Sequence, residues 1–103
     1  MKNDILSNKY IIADKKDVNS VFNILESFGY NRRHLTKKYI KEVIDESDFE
    51  KFSIYSNIRM ELFMCTYEFF ISFEEKELNI KPLLREYKLK RILKLILTEN
   101  TYY

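Results

Sequence analysis

Residues 51–64 read KFSIYSNIRMELFM, and their period decides the fold. Phe52, Ile54, Ile58, Met60, Leu62 and Met64 alternate with Lys51, Ser53, Tyr55, Asn57, Arg59 and Glu61, and Ser56 is the one polar member of the apolar set. Wound as a helix, at about 100° per residue, the charged and polar members scatter around the wheel, so the stretch is read as strand with its apolar set inward. The alternation then changes phase. Cys65, Tyr67, Phe69, Ile71 and Phe73 now alternate with Thr66, Glu68, Ser72 and Glu74. A slip of one residue moves every side chain to the other face, so a phase change implies a bulge or a turn. Ser56-Asn57 is the best turn candidate, and two or three antiparallel strands are expected between 51 and 73.

Upstream, the period lengthens to that of a helix. Over 15–28, Val18, Val21, Phe22, Leu25 and Phe28 recur at helical spacing with Ile24 beside them. Asp14 or Asp17 can cap the start, and Gly29 fits the left-handed position after the end. A second helix is expected over 33–46, with Thr36 as N-cap, a Leu35–Ile40 staple, and an apolar face of Leu35, Tyr39, Ile40, Val43 and Ile44. Residues 8–13 read as a short first strand. Downstream, Pro82 suits the first turn of a last helix. In it Leu89, Ile92, Leu93 and Ile96 form a stripe flanked by Leu95 and Leu97, opposite Lys88, Lys90, Arg91 and Lys94. That stripe is the expected core face. Leu83, Leu84 and Tyr87 point to another side, so this helix is expected to meet both its own core and a second chain.

The expected fold class is therefore α+β: two N-terminal helices, a small antiparallel sheet at about 51–73, and a C-terminal amphipathic helix. All-α is the rival, because Gly29 and Pro82 are the only helix breakers of their kind in 103 residues. That length fits one domain, able to bury a core without metals or disulfides. Aromatic residues at 16%, all Tyr or Phe, argue against disorder. An apolar leader segment is missing and no apolar stretch nears the roughly 20 residues that cross a bilayer, so a cytoplasmic, non-membrane protein is expected. The bias toward Lys, Asn, Ile and Tyr fits an AT-rich genome, such as that of a low-GC bacterium, its phage or a large DNA virus.

The chemistry-bearing residues are few. Cys65 and His34 are the single Cys and the single His, too few for a structural zinc site. Cys65 lies in an apolar run and is expected to be buried and inert. Asp45, Glu46, Asp48 and Glu50 lack the glycine and ligand alternation of an EF-hand loop and read as a solvated acidic loop. Phosphate-loop, dinucleotide and zincin motifs do not occur. No enzyme, cofactor or small-molecule substrate is expected.

Binding residues remain. With a net charge of only +2, local patches must carry any electrostatic argument. Arg32, Arg33, His34, Lys37, Lys38 and Lys41 form a stretch without acidic interruption, set one turn beyond the first helix. That outline resembles a helix-turn-helix, in which these residues would meet phosphates, base edges or an acidic protein surface. A second basic block runs from Lys81 to Lys94. Phe70 breaks the strand pattern as an aromatic in the outward set, and Tyr102 and Tyr103 offer amphipathic contact area. With Leu83, Leu84 and Tyr87 they make a candidate protein interface, which a second copy of the chain would also fit. The expected function is a non-enzymatic protein-binding module, such as a phage-encoded inhibitor of a host system. Nucleic-acid binding through 32–41 is the alternative.

Overall fold

The computed structural model describes residues 5–7, 9–66 and 76–100. Its elements are β1 (Lys9–Asp14), a 3-10 turn (Lys15–Asp17), α1 (Val18–Ser27), α2 (Lys37–Glu46), β2 (Lys51–Ser56), β3 (Leu62–Thr66), β4 (Lys76–Glu77) and α3 (Lys81–Asn100). The architecture is α+β. The strands lie in the order β3-β2-β1-β4, antiparallel across the first three and parallel at the short β4 edge.

The register explains the core. Ile11 faces Ile54 and Ala13 faces Phe52, while Ile54 faces Met64 and Ser56 faces Leu62, so these side chains share one face of the sheet. Onto that face α1 lays Val18, Val21, Phe22 and Leu25, and α2 contributes Ile40 and Ile44, in a single cluster. The opposite face carries Ile12, Ser53 and Cys65 in one row and Tyr55 with Phe63 in the next. The last two rings stack with centroids 5.3 Å apart.

The helix boundaries are chemical. Gly29 sits at φ 100°, where a Cβ would clash, and lets the chain leave α1. Thr36 caps α2, its hydroxyl accepting from the Tyr39 amide at 3.1 Å. Residues 33–36, expected in that helix, lie outside it, with Arg33 at φ 52°.

Three burial expectations are corrected. Ile58, assigned inward, is 98% exposed, because the turn at Asn57–Met60 interrupts the alternation that the two-residue count ran straight through. Ser53, assigned outward, is fully buried on the second face. The stripe Leu89, Ile92, Leu93 and Ile96, assigned to the core, is exposed, and it is Leu84 that enters the core with Leu83 and Tyr87 packed against it. A phase change between Met64 and Cys65 is not seen, since β3 runs unbroken through both. Tyr67 to Phe73, Phe70 among them, and Tyr102 and Tyr103 lie outside the described residues.

Candidate functional site

The basic stretch divides into structural and surface cations. Arg32, expected at a binding surface, is only 9% exposed. Its Nε pairs with Glu26 Oε1, its Nη2 donates to Asn23 Oδ1 at 2.6 Å, and its guanidinium lies 5.3 Å from the centre of the Phe22 ring. Asn23 in turn donates from Nδ2 to the Tyr87 hydroxyl at 3.0 Å. Glu26, Arg32, Asn23 and Tyr87 thus tie the connection after α1 to α1 and α3. Burial pulls the Arg32 pKa below its ordinary value, against an opposing effect of Tyr87, yet a guanidinium keeps its charge. The carbonyls of the last turn of α1 are taken by the amides of Phe28, Gly29 and Tyr30, and Arg32 folds back onto the side chains of the same helix. Arg32 is a scaffold residue, which corrects its assignment to a partner surface.

Arg33 is half exposed and reaches Glu61 Oε2 at 2.7 Å. His34, Lys37, Lys38 and Lys41 are exposed. Lys41 borders a cleft of about 510 Å³ together with Lys15, Lys16, Asn19, Ile44, Asp45 and Glu50. Lys15 is already engaged there, donating to the Ser47 carbonyl at 2.8 Å. Two carboxylates share this lining with three ammonium groups, so the cleft is not an anion site of one sign. The helix-turn-helix outline also loosens. Residues 28–36 separate the two helices, well beyond the three- or four-residue turn of that motif. The segment is stitched to the β2–β3 hairpin instead: the Asn31 amide donates to the Met60 carbonyl and the Leu62 amide to the Asn31 carbonyl, each at 2.8 Å.

That hairpin presents a residue that period counting missed. Asn57 Oδ1 accepts from the amides of Arg59 at 2.9 Å and Glu61 at 3.0 Å, and Asn57 Nδ2 donates to Glu61 Oε1 at 2.8 Å. Met60 takes φ 59°, which closes the turn. Ile58 therefore projects into solvent from a turn held on several sides, beside Arg59. The signal for it was present in Ser56-Asn57, the expected turn, immediately before Ile58.

The C-terminal helix carries the largest exposed apolar surface among the described residues. Leu83 and Tyr87 border a groove of about 270 Å³ with Ile24, Ser27 and Phe28 of α1 and its following residue, and Lys88 reaches Asp17 at the other end of α1 at 3.0 Å. Leu83 and Tyr87 thus lie beside the C-terminal half of α1, and the Lys88 side chain reaches the residue before its start. Beyond that point Leu89, Ile92, Leu93, Leu95 and Ile96 are between 47% and 66% exposed. At about 100° per residue, Leu89, Ile92, Leu93 and Ile96 centre roughly 180° from Leu83, Leu84 and Tyr87. Turning the stripe inward would pull Leu84 out of the core. The helix is two-faced, as the two clusters in its sequence imply, but the roles expected for them are exchanged: Leu83, Leu84 and Tyr87 face the body and the stripe faces out.

Burial pushes the Cys65 thiol up to about 11, the reverse of an activated nucleophile. Among the described residues no three His, Cys, Asp or Glu side chains converge, and no helix is long and apolar enough to cross a membrane. No family model, curated protein or solved structure matches the chain.

Proposed function

We propose that this chain is a non-enzymatic protein-binding module that docks its partner on the outward stripe of α3. The exposure of Leu89, Ile92, Leu93 and Ile96 directly opposite the face that anchors the same helix carries the reading. The patch, with Leu95, is on the order of 400–500 Å², in the range of the largest apolar patches on monomers, which commonly mark interaction sites. Its spacing of i, i+3, i+4 and i+7 is that of a helix laid into an apolar groove. A small regulator or inhibitor of a larger machine suits this arrangement: one compact body positions one projecting recognition helix. The test is co-purification from the native host with the unaltered chain and with a Leu93→Asp, Ile96→Asp double variant. The expected result is a stoichiometric partner lost from the double variant, whose helical content and unfolding midpoint are kept. A partner retained at equal yield overturns the reading.

Nucleic-acid binding is the second reading, favoured by the exposure of Arg33, His34, Lys37, Lys38 and Lys41 along one connection and helix start. It loses Arg32 to the scaffold and part of Arg33 to Glu61. A mobility shift at low salt that disappears in a Lys37→Glu, Lys38→Glu variant supports it, and no shift with any duplex or single strand removes it.

A further inference from the structure

The outward face of α3 also carries information on what covers it. Lys81 and Arg85 are exposed and continue the row of Leu89, Ile92 and Ile96 back toward the helix start, at spacings of three and four residues. The face is therefore cationic in its first half and apolar in its second. From Lys81 to Ile96 the helix holds Lys81, Arg85, Lys88, Lys90, Arg91 and Lys94 against Glu86 alone, six cations to one carboxylate. We infer that the occupant is a protein surface with an apolar groove whose entrance is rimmed with carboxylates, seated so that the groove takes Leu89, Ile92, Leu93 and Ile96 and the acidic rim meets Lys81 and Arg85. This rests on the reading that the stripe is a docking site.

Two other occupants fit less well. A second copy pairing stripe to stripe would set two helices of the same excess charge side by side. An anionic bilayer calls for cations along both flanks of the apolar half of the helix. Here Arg91 turns toward the body, 5.8 Å from the Tyr87 ring centre, and Lys94 falls on the same side of the wheel. The two flanking cations are held in intramolecular pairs, Lys88 with Asp17 and Lys90 with Glu86, each at 3.0 Å. Glu86 itself stands on one flank of the face.

The test titrates the full chain with a synthetic helical hairpin whose Leu-lined groove is rimmed with Glu, with the same hairpin rimmed with Lys, and with phosphatidylserine vesicles. Sedimentation of the chain alone is measured alongside. The expected result is a one-to-one complex with the Glu-rimmed hairpin, about tenfold or more tighter than with the Lys-rimmed one at low salt. Leu93→Asp and, independently, Ile92→Asp abolish it. Arg85→Glu removes the preference for the acidic rim. Equal affinity for the two hairpins, binding to neither, stripe-dependent binding to vesicles in preference to the hairpin, or a stripe-dependent dimer at tens of micromolar and low salt each overturns the inference. Failure here with stripe-dependent co-purification intact leaves the docking reading standing, whereas co-purification indifferent to the stripe removes both.

Discussion

Arg32 and Arg33 adjoin in the sequence, yet one guanidinium bridges Glu26 and Asn23 beside Phe22 while the other reaches Glu61 from the surface. Burial decides what each is worth. Arg32→Ala strands the Asn23 carbonyl and uncovers Phe22, and is expected to cost about 2 kcal/mol in chemical denaturation. Arg33→Ala, at a solvated pair, is expected to cost less than about 1 kcal/mol. Equal costs would show that Arg32 is not the scaffold residue described. Ser53 makes a complementary case. Its hydroxyl is buried without a hydrogen-bond partner, so Ser53→Ala removes an uncompensated polar group and is expected to be neutral or stabilising by up to about 1 kcal/mol. Cys65 supplies the pH dependence. With the thiol raised from 9.0 to about 11, its thiolate fraction at pH 8 falls about 100-fold, and thiol-reagent labelling should slow accordingly relative to the unfolded chain. Because the folded value is the higher one, the folded state is favoured fully below pH 9 and loses this contribution as pH rises from 9 through about 11. Labelling as fast in the folded as in the unfolded chain would contradict the burial.

At the scale of elements, α1 and the β2–β3 hairpin were readable because each has one apolar face and unambiguous ends. Val18, Val21, Phe22 and Leu25 repeat at helical spacing before Gly29, and Phe52 and Ile54 alternate before Asn57. Element β1 was readable as a short apolar run, but its place between β2 and β4 was not, since pairing partners leave no trace in local period. Ile58 and α3 were misread for two different reasons. Counting by two carries no information on where a turn suspends the count. In α3 both apolar clusters satisfy helical spacing, and which of them packs depends on where α1 ends, a tertiary fact. The candidate site was legible to the same degree: the exposed basic residues and the two-sidedness of α3 were visible, while the return of Arg32 onto α1 needs the left-handed exit at Gly29 and the stitching of Asn31 to Met60. The exchange of roles in α3 is directly measurable. Leu84→Ala is expected to cost about 2–4 kcal/mol, and Leu93→Ala, on the open face, within about 0.5 kcal/mol. The reverse order would put the stripe in the core after all. In the hairpin, Asn57→Ala removes the one acceptor shared by two backbone amides and the donor to Glu61, and should destabilise by about 1–2 kcal/mol.

The whole molecule is extended for its length. Its radius of gyration is 15.1 Å and its longest dimension 55 Å, against roughly 13 Å for the radius of a compact chain of this size. A helix of 20 residues is about 30 Å long, and α1 shields only its first part, so α3 accounts for much of the elongation. An exposed apolar stripe on a projecting helix is a hazard for association unless something opposes it. The net charge of +2 is too small to keep copies apart as a whole, whereas Lys81 and Arg85 stand on the face where two stripes would meet. That opposition is electrostatic and must fade with screening, the Debye length shrinking from about 10 Å at 0.1 M salt to about 3 Å at 1 M. Light scattering should therefore find a monomer at low salt and rising association near 1 M salt. Leu93→Asp should suppress that association at every salt concentration, because it removes the apolar attraction that screening unmasks. A stripe-dependent dimer at low salt that salt leaves unchanged would show that charge on α3 does not govern what approaches it. It would also remove the ground for an acidic partner.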